Sequence, residues 1–104
     1  MPTTMIGRRP IDVNDEGFLT AYDQWDEELG ATLAELIGLE LTDRHWQVLR
    51  FLRADYAGRK ETATLRRTST LGGFGIKELF TLFPGKPAKK MAYVAGLPKP
   101  KGCV

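Results

Sequence analysis

Sulfur chemistry in this chain can come from one residue, the single cysteine Cys103, which lies next to the C-terminal Val104. A cysteine thiolate is a nucleophile that can take up, hold and release sulfur by exchange. Lys99 and Lys101 favour the thiolate by Coulomb attraction, whereas the terminal carboxylate opposes it. The residue types therefore predict a reactive thiol at Cys103.

The residues before this cysteine predict an arm that carries it. They are Gly96, Leu97, Pro98, Lys99, Pro100, Lys101 and Gly102. Two prolines oppose helix and central strand alike, and the glycines and lysines leave little to bury. We therefore expect a folded domain over residues 1–95 and an exposed, extended, flexible arm over residues 96–104 that adds almost nothing to the core. Polyproline-like geometry would let the sulfur reach roughly 20 Å from the start of the arm.

Length and composition bound the kinds of protein that this chain can be. It has 104 residues, 42% of them apolar, and a net charge of +2, which is too small to argue for nucleic acid by itself. One cysteine and one histidine cannot form an internal disulfide or a structural zinc site, so we expect no metal and no cofactor. We see no signal peptide and no membrane-spanning run, and a free thiol favours the reducing cytoplasm.

The apolar spacing predicts a mostly α fold, a compact orthogonal helical bundle with a small N-terminal β-hairpin. The hairpin lies around residues 5–13, and helices follow from Tyr22 to Gly38, from an N-cap at Thr42 to Gly58, from 76 to 83 and from 87 to 95. The second helix should be the most buried, with Trp46 on its inner face. Residues 61–70 are weakly helical at best, because threonine is a poor helix former, and 71–75 read as a loop.

Other groups of residues are weaker candidates for a chemical role. The glycine-rich residues 72–75 lack the spacing of a phosphate-binding loop and read as a helix connection. His45 should position Trp46 or cap a neighbouring loop; a nucleophile–base pair of His45 with Cys103 is the weaker alternative. The basic residues Arg59, Lys60, Arg66, Arg67, Lys77, Lys86, Lys89 and Lys90 could form a docking surface near the arm or an ordinary solvated surface.

The terminal motif also carries a resemblance. Gly-Leu-Pro-Lys-Pro followed by a penultimate cysteine resembles the C-terminal signature of the DsrC/TusE family of sulfur-relay proteins (sulfite reductase gamma-subunit-like). Three other stretches are similar in the same order: Asp-Glu-Gly-Phe-Leu at 15–19, Leu-Thr-Asp-Arg-His-Trp at 41–46 running on to Phe-Leu-Arg at 51–53, and Leu-Phe-Pro at 82–84 with Pro-Ala-Lys at 87–89. The resemblance covers most of the chain.

The resemblance implies a sulfur carrier more than a self-contained enzyme. Cys103 would accept sulfane sulfur as a persulfide from a donor sulfurtransferase and pass it to an acceptor, while Gly102 keeps the arm narrow for a partner's cleft. Relatives that work with dissimilatory sulfite reductase carry a second cysteine eleven residues earlier, where this chain has Ala92. This favours the single-cysteine, TusE-like branch, which relays sulfur for tRNA 2-thiouridine synthesis through a tRNA thiolase.

Two alternatives remain beside this interpretation. The chain could be a DsrC-like gamma subunit whose arm enters a sulfite reductase and whose Cys103 positions an intermediate. It could also be a nucleic-acid-binding regulator, because a helix pair with basic residues can mimic a helix-turn-helix. Direct nucleic-acid binding is the least expected of these, because the exposed positions of the second helix are mixed in charge, and no membrane partner is expected.

Overall fold

The computed structural model describes residues 3–100, and within them the chain is mostly helical. Its elements are the strands β1 (Thr3–Ile6) and β2 (Arg9–Asp12), a 3₁₀ turn (Tyr22–Gln24), and the helices α1 (Glu27–Leu36), α2 (Asp43–Arg59), α3 (Leu65–Gly72), α4 (Ile76–Leu82) and α5 (Pro87–Val94). The predicted fold class, a helical domain with an N-terminal hairpin, is confirmed. No helix among these residues is long and apolar enough to cross a membrane.

The hairpin joins two antiparallel strands through a two-residue turn. Gly7 and Arg8 both have positive φ, 57° and 70°, as a turn that follows the twist of the strands requires. Its inner side chains, Ile6 and Ile11, are buried. Arg9 then ties β2 to the start of α1, since its guanidinium lies 3.0 Å from the Asp26 carboxylate. The hairpin is thus held by the helices, because two strands alone would be marginal.

Helix α1 begins later than predicted. The sequence predicts a helix from Tyr22, but the chain is extended at Trp25 and α1 starts after Asp26. The Asp26 carboxylate accepts a 2.8 Å hydrogen bond from the Leu29 N–H and so caps the helix. That bond, together with the contact with Arg9, lowers the pKa of Asp26. At the other end, the predicted stop at Gly38 is confirmed, with a φ of 70°.

Helix α2 begins where the sequence predicts, at a capping box between Thr42 and His45. Its inner face, however, runs through His45, Val48, Leu49 and Leu52. Trp46, which was predicted on this inner face, lies at its margin instead: it follows His45, and the next position along a helix is rotated by about 100°. It packs against the core but is only half-buried. The most buried helix is α5, with five of eight residues buried against four of seventeen in α2.

The stretch predicted to be weakly helical, with a loop from Leu71, forms helix α3, and this prediction is corrected. Thr64 caps the helix by accepting a 3.1 Å hydrogen bond from the Arg67 N–H. Thr68 is fully buried and donates to the Thr64 carbonyl oxygen at 2.8 Å. Arg67 also binds Asp55 of α2 through both carboxylate oxygens. Tertiary contacts and a cap thus override a low helix propensity.

Candidate functional site: the anchored base of the C-terminal arm

The chain leaves α5 through a tight turn that sends it back into the core. Gly96 has a φ of 70°, and its N–H donates to the Tyr93 carbonyl oxygen at 3.2 Å. The Leu97 N–H donates to the Ala92 carbonyl oxygen at 3.0 Å. This pair of bonds is the Schellman motif, in which a glycine adopts the left-handed conformation and an apolar residue follows it. The Leu97 side chain is fully buried.

The prediction of an exposed arm that starts at residue 96 is therefore wrong for most of residues 96–100. Gly96, Leu97 and Pro100 are buried, Pro98 is half-buried, and Lys99 is exposed. The physical reason is the apolar side chain at position 97, which the helix-ending turn directs into the core. The division into a domain over 1–95 and an arm over 96–104 stays a prediction.

The Trp25 side chain packs against this turn. Its indole N–H donates to the Val94 carbonyl oxygen at 2.8 Å. A Cβ on Gly96 would overlap Cδ1 of the ring, and a Cβ on Gly30 would lie 2.7 Å from its Cζ2. The ring is therefore seated between two glycines. Position 96 needs glycine twice, once for its positive φ and once for the space that the ring takes.

Arg53 of α2 holds the same turn through its guanidinium. Nη1 donates to the Ala95 carbonyl oxygen at 2.8 Å, and Nη2 donates to the Tyr22 carbonyl oxygen at 2.9 Å. The group lies over the rings of Tyr22 and Trp25, with its Cζ 3.9 and 4.2 Å from their centroids. Burial lowers the pKa of Arg53. A cation is thus fixed against the negative C-terminal end of α5.

Two further contacts hold the chain beyond the turn. The buried Thr62 hydroxyl donates to the Pro98 carbonyl oxygen at 2.7 Å, and Lys99 Nζ lies 3.3 Å from a Glu16 carboxylate oxygen. We call Trp25, Arg53, Thr62, Gly96 and Leu97 the arm anchor.

The remaining predicted site residues, Lys101, Gly102 and Cys103, lie outside the described residues. The anchor nevertheless shortens the expected reach of the sulfur. Three residue steps separate Pro100 from Cys103, so their Cα atoms are at most about 11 Å apart. An arm that was free from Gly96 onward was expected to reach roughly 20 Å. The base of the arm is therefore fixed as far as Pro100.

Sequence reasoning missed three members of the anchor, Trp25, Arg53 and Thr62. One signal was present for the turn itself, because a glycine followed by an apolar residue at the end of a helix is typical of a Schellman motif. The same signal occurs after α1, where Gly38 precedes Leu39 and the Leu39 N–H donates to the Ala34 carbonyl oxygen at 2.8 Å. The partners of Arg53 are carbonyl oxygens, which no sequence pattern reveals.

His45 is occupied by structural hydrogen bonds. Its Nδ1 accepts from the Thr42 N–H at 3.0 Å, and its Nε2 lies 2.7 Å from the Leu82 carbonyl oxygen, which can only accept. The ring is therefore protonated at Nε2 and links the start of α2 to the end of α4. Of the two predicted roles, this geometry is that of a loop cap. Both nitrogens are engaged, so the geometry does not favour a base for Cys103.

The predicted basic residues differ in whether a carboxylate pairs with them. Between α2 and α3, Arg67 binds Asp55 at 2.7 Å and Arg59 lies 3.6 Å from the same carboxylate. The hydrogen bonds from Arg67 lower the pKa of Asp55. The other predicted basic residues have no carboxylate within ion-pair distance among residues 3–100, and three of them lie together around α5: Lys86, Lys89 and Lys90. A cluster of acidic, histidine or cysteine side chains suited to a metal is absent from the same residues.

Comparison with known proteins decides the family. The family described as DsrC like protein matches residues 5–104. The Yersinia pseudotuberculosis protein named Sulfurtransferase TusE is 37% identical over 103 residues, which cover 92% of this chain and 95% of that protein. The chain belongs to the DsrC/TusE family. The Escherichia coli K12 protein of the same name is 35% identical, with 92% of this chain and 94% of that protein covered.

Solved structures of the DsrC/TusE fold agree with this assignment. A chain from the crystal structure of dissimilatory sulfite reductase I (DsrI) gives a TM-score of 0.83 at 32% identity, covering 99% of this chain and 100% of the other. The NMR structure of Allochromatium vinosum DsrC gives 0.80 at 33% identity, with 98% and 97% covered. The oxidized gamma-subunit of dissimilatory sulfite reductase from Archaeoglobus fulgidus gives 0.77 at 30%, with 99% and 100% covered.

Proposed function

We propose that this DsrC/TusE protein carries sulfur as a persulfide on Cys103. The Cys103 thiolate attacks the terminal sulfur of a donor persulfide, R–S–SH. A new S–S bond forms to Cys103, the S–S bond of the donor breaks, and the donor leaves as the thiolate R–S⁻. The proton stays on the transferred sulfur, so the product is Cys103–S–SH and no external oxidant or reductant is consumed. The same exchange with an acceptor thiolate unloads the carrier.

The observation that carries this proposal is the fixed base of the arm. A relay needs a nucleophile that a partner can find in a defined position, because ordering a loose chain on binding costs free energy. The arm anchor orders the chain up to Pro100 before any partner arrives, and only a few residues then separate the fixed base from Cys103. The only cysteine of the chain stands at this end.

We assign the finer role to the TusE-like branch, relay of sulfur from a donor sulfurtransferase to a tRNA thiolase in the cytoplasm. The support is the name of the curated relatives and the residue at position 92. Ala92 is fully buried in α5 and is not a thiol, so the two-cysteine chemistry of the other branch is absent. The second candidate is a gamma subunit of a sulfite reductase, which the likeness to the Archaeoglobus fulgidus protein favours.

Complementation distinguishes these roles. The chain would be expressed in Escherichia coli that lacks its own TusE, and 2-thiouridine in tRNA would be measured by mass spectrometry. We expect the native chain to restore the modified nucleoside and the matched control Cys103→Ser, made at the same level, to restore none. A folded native chain that restores nothing, yet co-purifies with a sulfite reductase, would contradict the TusE-like role and support the second candidate.

A further inference from the structure

A groove of about 560 Å³ opens on the N-terminal side of α5, beside the arm. Phe18 and Tyr93 form its floor, with ring centroids 5.9 Å apart in an edge-to-face arrangement, and Ile37 at the end of α1 adds a third apolar side chain. Lys86, Lys89 and Lys90 line it as well. We call it the lysine groove, and its floor has room for a large apolar side chain.

The charges of this groove lack partners within the described residues 3–100. None of its three lysines lies within 4 Å of a carboxylate there, and its one acidic residue, Glu16, is already paired with Lys99. The first turn of α5 holds no acidic side chain, and its N-cap residue, Lys86, makes no side-chain hydrogen bond. Lysines at the positive end of a helix dipole lower its stability. The groove therefore presents positive charge that the fold does not use.

We propose that the lysine groove docks a partner protein of the relay through an acidic segment that carries one large apolar side chain. Carboxylates of the segment would pair with the lysines, and the apolar side chain would cover the floor. A protein segment fits better than a nucleic acid. Phe18 is buried and packs edge-to-face with Tyr93, so the floor offers bases little free ring surface for stacking.

The position of the groove relates it to the arm. Tyr93 lies on the floor of the groove, three residues before Gly96, the first residue of the arm. Lys99 of the arm forms an ion pair with Glu16, which lines the groove. A partner seated here would therefore lie next to the fixed part of the arm, which ends three residues before Cys103 in the sequence, and this suits a donor or an acceptor of sulfur. This inference rests on the proposed function, since it supplies the docking step that loading from a protein requires.

A synthetic peptide tests the groove without a known partner. The probe is a fluorescein-labelled run of about ten glutamates with one central phenylalanine, and binding is followed by anisotropy and by amide chemical shifts. We expect shifts at residues 16–18, 37 and 86–93. K89E/K90E should weaken binding about tenfold or more, because attraction becomes repulsion. Its matched control, R66E/K77E, makes the same change of net charge at two exposed positions and should retain affinity within about twofold.

The apolar floor has its own pair of variants. Ile37→Ser should weaken the peptide about threefold or more, whereas Ile76→Ser, at a position of similar exposure (43% against 37%), should leave binding unchanged. A peptide with serine in place of its phenylalanine should bind the native chain as weakly as the original peptide binds Ile37→Ser.

Several outcomes would overturn the inference. Equal loss in R66E/K77E would reduce the effect to overall charge, and equal binding of an oligouridylate would assign the surface to nucleic acid. Tighter binding after deletion of residues 101–104 would assign the groove to the chain's own end, and a dimer that K89E/K90E dissociates would assign it to a second copy. Loading of Cys103 by inorganic polysulfide needs no docking, so all groove variants should load normally. Failure of the native chain to load would instead count against the proposed function.

Discussion

The two ends of α5 differ in how many contacts other side chains make with them. At the C-terminal end, the Val94 and Ala95 carbonyl oxygens are bound by Trp25 and Arg53, and Leu97 closes the turn. At the N-terminal end, lysines surround an open groove and no side chain caps the helix. The C-terminal end of α5 is built into the core, whereas the N-terminal end stays open, and we propose that a partner docks there. The proposed carrier role needs both properties: a fixed start for the arm and a surface for the protein that loads it.

The largest effect on stability should come from the side chain at position 97. Leu97→Ala removes a fully buried leucine and should lower the free energy of unfolding by about 2–5 kcal/mol. The control Leu71→Ala, at a leucine that is 58% exposed, should change it by less than about 0.5 kcal/mol. Urea denaturation measures both. By the same argument, deletion of residues 97–104 should destabilise the domain, whereas an arm outside the core would leave its stability unchanged.

The fit of Trp25 against the turn can be isolated by comparing two glycines. Gly96 and Gly38 have the same φ of 70°, but only a Cβ on Gly96 would meet the ring. Each change to alanine should cost about 1–2 kcal/mol for the left-handed conformation. Gly96→Ala should cost about 1–3 kcal/mol more, because the ring must move. Urea denaturation and tryptophan fluorescence follow this; equal costs and an unchanged emission spectrum would mean that the ring does not anchor the arm.

Arg53 should depend on the shape of its guanidinium more than on its charge. Arg53→Lys keeps the cation but loses the fork that binds two carbonyl oxygens, and should cost about 1–3 kcal/mol. Arg50→Lys on the same helix changes an exposed arginine that pairs with Glu27 at 3.2 Å, and should cost less than about 0.5 kcal/mol. If thermal or urea unfolding gives the same loss of unfolding free energy for both variants, Arg53 contributes no more than an ordinary surface cation.

The smallest effect is expected at the open end of α5. K89E/K90E removes two cations from the positive end of the helix dipole and places two anions there, so the free energy of unfolding should stay unchanged or rise by a few tenths of a kcal/mol. The measurement is urea denaturation at low ionic strength, where the dipole is least screened. A clear loss of stability would show that the lysines support the fold and would erase the contrast between the two ends.

Local signals in the sequence predict much of this fold. The N-cap at Thr42, the stop at Gly38 and the hairpin around Gly7 are each determined by a few neighbouring residues, and the structure has all three. The break of the first helix at Trp25 and the helix over 65–72 were missed. Their caps, Asp26 and Thr64, are local, but contacts of Trp25 with α5 and of Arg67 with Asp55 hold both elements in place. Those contacts join residues far apart in sequence.

The chemistry of the candidate site stays a prediction from the sequence, whereas the contacts that support the arm are visible only in the structure. A single cysteine, two lysines and a terminal position indicate the thiol from sequence alone. The support comes from an indole N–H, a guanidinium and a hydroxyl that all bind main-chain carbonyl oxygens. Carbonyl oxygens occur at every residue, so no pattern of side chains marks which ones are bound. The one sign in the sequence was the apolar residue that follows Gly96 at the end of the last helix, the pattern of a Schellman motif.

The most direct test of the account is the mass of the protein after exposure to a persulfide donor. The native chain would be incubated with inorganic polysulfide, freed of excess reagent and measured by intact mass spectrometry, beside Cys103→Ser. We expect the native chain to gain one sulfur that a thiol reductant removes, and Cys103→Ser to gain none while unfolding at the same urea concentration. A serine variant that still gains the sulfur, or a folded native chain that gains none, would contradict sulfur carriage on Cys103.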